Sequence, residues 1–61
     1  MLEIIRSETT DRGVAVQMSH GPAGWFVYAL DHANRLMVSG SRSADEATAI
    51  DCYQKFLVKY S

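Results

Sequence analysis

Cysteine and proline are almost absent from this chain: Cys52 and Pro22 stand alone among 61 residues, with four glycines and two histidines. One cysteine excludes an internal disulfide, the staple many chains of this size depend on. It also suits a reducing compartment. His20 and His32 are the only other soft ligands and have no finger-like spacing, so no metal site and no cofactor is expected. An excess of charge is missing too. Six basic against seven acidic residues leave a net charge of −1, which lacks the basic footprint of a nucleic-acid binder. No dense acidic run imitates a nucleic-acid backbone.

Long apolar runs are absent as well. None approaches the roughly 20 residues that span a bilayer, and Met1-Leu2-Glu3-Ile4-Ile5-Arg6 does not read as a signal peptide. The expectation is one complete, cytoplasmic domain over residues 1–61 with no membrane contact. A chain this short buries only about 60% of its unfolded surface. Association, with a second copy or a larger partner, is the staple left to it.

What is present centres on Trp25-Phe26-Val27-Tyr28-Ala29-Leu30, bounded by Gly21-Pro22-Ala23-Gly24 and Asp31-His32-Ala33-Asn34. Its length and its aromatic and β-branched content indicate a strand, apolar on both faces. Around it the pattern predicts strands at Leu2 to Arg6, Gly13 to Ser19 and Arg35 to Gly40. Asp11-Arg12-Gly13 is a turn with Gly13 free to take a positive φ, and Asn34 suits a hairpin loop. Ser43-Ala44-Asp45-Glu46 reads as a capping box opening a C-terminal helix. On that helix Ala49, Ile50, Cys52, Tyr53, Phe56, Leu57 and Tyr60 share an arc of roughly 160°. The fold class is therefore α+β: a four-stranded antiparallel sheet in β-β-β-β-α order, with one amphipathic helix on one face.

If Leu30 lies across from Leu36 and Val16 across from Tyr28, the helix covers Val14, Val16, Met18, Phe26, Tyr28, Leu30, Leu36 and Val38. The far face then carries Ala15, Gln17, Trp25, Val27, Ala29, Met37 and Ser39. A one-residue slip would exchange these faces. On this register Trp25, Val27 and Met37, with Gln17 beside them, form an exposed apolar patch of the kind that marks contact surfaces. The alternative is a different register, or an indole lying over its own loop. Phe56, with Cys52, is a second candidate, either as core or as a helix edge meeting another copy.

No catalytic residue is assigned. Cys52 sits mid-helix among apolar neighbours, away from the helix start that would activate a thiol. His20 and His32 fall at opposite ends of a strand, and neighbours such as Asp31 and His32 point apart. Gly21-Pro22-Ala23-Gly24 has no Lys-Ser/Thr and no helix after it, so it is a turn and not a phosphate loop.

Gly24-Trp25 opening a strand, followed by Ser43, Glu46 and Ala47 at a helix start, loosely resembles the arm-binding DNA domains of phage integrases over about 35 residues. That resemblance implies a sheet face reading DNA with basic residues. Here no Lys or Arg lies between Val14 and Leu30, so no site is carried over. In format the chain also looks like the small proteins with which phages disable host machinery, anti-CRISPR proteins included. This implies stoichiometric binding and often a dimer. The reading is a non-enzymatic protein-interaction module for a larger protein or ribonucleoprotein complex, an inhibitor or regulator of it and itself a homodimer. The other readings are a structural homodimer, or a nucleic-acid-binding domain stacking bases on Trp25 and Tyr28, the last disfavoured by the balanced charge.

Overall fold

Four strands and a helix follow one another: β1 (Glu3–Thr9), β2 (Val14–Gly21), β3 (Gly24–Asp31), β4 (Leu36–Ser43) and α1 (Glu46–Lys59). In the computed structural model, which describes residues 1–33 and 36–61, the strands form one sheet in the order β1-β2-β3-β4. Every neighbouring pair is antiparallel. The helix packs on one face, over β2, β3 and β4. The α+β class and element order are those the periodicity predicts; the expectations for Asn34 and Arg35 fall outside the described residues. Among the described residues no helix is long and apolar enough to cross a membrane.

Two turns set the geometry. Between β1 and β2 the Gly13 amide donates to the Thr10 carbonyl at 2.9 Å, and Gly13 takes φ +80° as expected. The Thr10 hydroxyl oxygen accepts from the Val14 amide at 3.3 Å, closing the loop. Between β2 and β3 the loop is only Pro22-Ala23, because Gly21 pairs with Gly24. Gly24 takes φ +122°, which side-chain-bearing residues avoid. A Cβ there would also stand 3.0 Å from the Ser43 carbonyl oxygen.

That tight turn corrects the register. Val16 lies across from Ala29 and Met18 from Val27, while Tyr28 faces Gln17. The even-numbered residues of β2 therefore share a face with the odd-numbered residues of β3, a slip of one from the expected pairing, and β3 is turned over. On β4, Ser39, Ser41 and Ser43 oppose Ala29, Val27 and Trp25, and Gly40 opposes Tyr28. Leu30 then meets Met37, neither the expected Leu36 nor the Val38 that an unbroken register would give, because Val38 is an extra residue at a bulge. A second bulge on β1 lies between Ile4 and Arg6.

The core follows from this register. Val14, Val16, Met18, Val27 and Ala29 from the sheet meet Ala49 and Tyr53 from the helix. Trp25, Ile50, Cys52, Phe56, Leu57 and Tyr60 close its margins. The helical arc is the one the sequence predicts; the sheet face beneath it is not. Small residues on β3 and β4, Ala29, Ser39 and Ser41, leave room beneath the larger helix side chains.

The helix start also differs. Ser43 is not the cap: it ends β4 and is buried. Asp45 is the N-cap, its carboxylate accepting from the Thr48 amide at 3.1 Å and the Thr48 hydroxyl at 2.9 Å. Asp-x-x-Thr thus replaces the expected Ser-x-x-Glu box. These two bonds hold the Asp45 carboxyl below its ordinary value of 3.8.

Two outcomes follow. Met18→Ala removes a fully buried side chain and costs about 2–5 kcal/mol, whereas Phe26→Ala, outside this core, costs clearly less; urea titration of both variants checks the order. A carboxylate whose folded pKa is depressed stabilises above its unfolded pKa and loses that contribution as pH falls through the folded value. On acidification below about 3.8, the wild type should lose melting temperature relative to Asp45→Asn, which keeps an uncharged cap. Parallel melting curves would contradict the assignment.

Candidate interaction surface

The face without the helix is built by the residues that alternate with the core. β3 contributes Phe26, Tyr28 and Leu30, all half-buried. β4 contributes Met37, which is 63% exposed, then Gly40 and Arg42. β2 contributes Ala15, Gln17 and Ser19, and the Gln17 amide nitrogen donates to the Ser7 hydroxyl of β1 at 3.4 Å. The hydroxyls of Tyr28 and Ser19 are 3.2 Å apart, so the phenol reaches diagonally towards β2 and helps bury Ser19.

Because Tyr28 reaches towards β2, the β4 side of the same face stays open. A shallow depression of about 330 Å³ lies there, lined on this face by Phe26, Tyr28, Met37, Gly40 and Arg42. Its floor is the bare backbone of Gly40, and the Met37 sulfur comes within 3.3 Å of where a Gly40 Cβ would stand. Val38, at the bulge and 45% exposed, adjoins this surface at the edge of the sheet, while Leu36, 61% exposed, pairs with Asp31 on the helix side.

Charge is segregated between the two sides. Glu3, Glu8 and Asp31 pair with His20, Val16 and Val14, which places them on the helix side. Asp11 lies in the first turn, and Asp45, Glu46 and Asp51 belong to the helix and its cap. No acidic side chain is therefore on the helix-free face. Among the described residues Arg42 is the one charge there, and no carboxylate pairs with it. On the helix side Arg6 stands 4.9 Å from the centre of the Tyr53 ring. The Tyr53 hydroxyl is buried without a hydrogen-bond partner among the described residues. Its pKa is raised by burial first and by the nearby Glu8 carboxylate second.

The five residues expected at an interface do not come together. Met37 and Gln17 lie on the helix-free face as predicted. Trp25 and Val27 lie on the other: Val27 is 1% exposed, and Trp25 packs on the margin of the core. The indole also stacks on His20, ring centres 4.3 Å apart, a cross-strand pair set by the hairpin. Phe56 points towards the sheet, half-buried, edge-on to Tyr60 at 6.2 Å. Phe26, Leu30 and Arg42 are the residues this reading missed as a contact surface, and Tyr28 entered it only as a base-stacking residue. The signal for them was the length of the Pro22-Ala23 loop, which fixes parity across the hairpin.

Among the described residues no three His, Cys, Asp or Glu gather as metal ligands would. Comparison with protein-family models, curated proteins and solved structures finds no match.

Trp25→Ala should therefore destabilise the fold by about 2 kcal/mol and leave association unchanged, the reverse of what an exposed indole would do. Urea unfolding together with light scattering separates the two effects.

Proposed function

We propose that this chain acts without catalysis, by stoichiometric binding of a larger protein partner through the helix-free sheet face. The observation that carries the reading is the composition of that face. No helix covers Phe26, Tyr28 and Leu30, which are half-buried, or Met37, which is exposed; Arg42 stands beside them, and acidic side chains are confined elsewhere. Protein interfaces are enriched in Phe, Tyr, Met and Arg and depleted in Asp and Glu at their centres. Apolar groups left in water on a chain with so little core are best accounted for by a partner that removes them from water. A small inhibitor or regulator that occupies one surface of a host complex fits this format.

A second reading has its own support. Phe26 and Tyr28 are two residues apart on one strand, so their rings project from points roughly 6–7 Å apart on the same face. Two successive bases could stack there with Arg42 on a phosphate. The stacking pair is then Phe26 with Tyr28, since Trp25 is on the other face. Binding of a labelled single-stranded oligonucleotide at low salt, with a salt slope near that of one phosphate contact, would favour it; no binding at low salt eliminates it.

For the protein reading, tagged wild type is used to capture a partner from a candidate host. Met37→Glu and Arg42→Glu should abolish capture, because both are exposed and neither is core. Lys55→Glu, on the outer side of the helix, should retain it. Loss with Lys55→Glu and retention with Met37→Glu would refute the assignment of the face.

A further inference from the structure

The two edges of the sheet are defended unequally. β1 presents Glu3, Arg6 and Glu8 along its length and carries a bulge near its start. Charges and bulges of this kind keep other strands from pairing with an edge. β4 also carries a bulge, at Val38, but Arg42 is the one charged residue among its eight, and Ser39 to Ser43 pair with β3 without interruption. From Ser39 onwards it offers Ser-Gly-Ser, small residues that obstruct nothing.

We infer that β4 is the edge at which a second copy of this chain adds, antiparallel, to make a continuous eight-stranded sheet with Gly40 on the two-fold axis. A continuous sheet requires opposed residues to lie on the same face, which fixes the parity of the pairing. With Gly40 opposite its own symmetry mate, Ser39 opposes Ser41. The two Arg42 side chains then start about 13 Å apart, four residues along the strands. Any register that opposed the two arginines directly would be penalised.

This arrangement completes the surface described above. The whole molecule measures 30 × 21 × 15 Å, so the helix-free face of one copy is small beside the roughly 800 Å² that each partner of a standard complex buries. Its main apolar group, Phe26, Tyr28, Leu30 and Met37, moreover, lies on β3 and β4. Pairing at β4 sets the two depressions side by side across the axis, each floored by Gly40, and joins them into one trough. The inference rests on the edge and not on what the face binds, so either can fail alone.

Sedimentation or light scattering across a concentration series should show a dimer. Ser41→Lys, which places a charge on the edge with its side chain on the helix side, should yield a folded monomer; Met37→Glu should remain dimeric. A Cys52→Ser/Gly40→Cys variant should form a covalent dimer under mild oxidation, because its thiols face each other across the axis. This last readout stands even if Ser41→Lys fails to fold. A monomer at every concentration overturns the inference. So does a dimer that survives Ser41→Lys, or one that Met37→Glu dissociates, which would indicate face-to-face packing.

Discussion

Everything about the two faces of this sheet depends on how few residues turn the chain between β2 and β3. Gly21 pairs with Gly24, leaving Pro22 to preset one backbone angle and Ala23 to complete the turn. Gly24 then takes a positive φ beside the Ser43 carbonyl, so the hairpin end is also held close to the end of β4. With the loop length set, side-chain parity across the hairpin has no remaining freedom. Val16 and Met18 must share their face with Ala29 and Val27.

From that parity follows an inversion of what hydrophobicity alone would suggest. The central strand sends Val27 and Ala29 beneath the helix, with Trp25 at the margin, and Phe26, Tyr28 and Leu30 the other way. The helix supplies the missing volume with Tyr53, Phe56 and Leu57, large over small. The serines of β4 opposite Trp25, Val27 and Ala29 leave room for that descent, and Ser39 bonds to the Tyr60 hydroxyl at the helix end. The interior is thereby filled, and three sizeable side chains are left half-buried on the reverse.

The same alternation sorts the charges. Because Glu3, Glu8 and Asp31 sit at positions that face the helix side, the reverse of the sheet is nearly uncharged although charged residues make up 21% of the chain. An uncharged face with a single guanidinium repels few partners of either sign. Desolvation there costs little beyond the Arg42 group itself. Recognition by shape and apolar contact is thus favoured over electrostatic capture.

The order of the elements, the turn at Gly13 and the buried arc of the helix could be read from the sequence, because each depends on a local period or on one residue's backbone preference. Residues separated by two in a strand share a face whatever the rest of the chain does. Which face the helix takes could not be read this way, because Trp25-Val27-Ala29 and Phe26-Tyr28-Leu30 are both apolar and hydrophobicity does not choose between them. Nor could the cap: Ser43 and Asp45 are both good caps locally, and the choice fell to Asp45 once pairing with Trp25 drew Ser43 into β4. Only the assembled tertiary structure decided these, through one two-residue loop and the volume available beneath one helix.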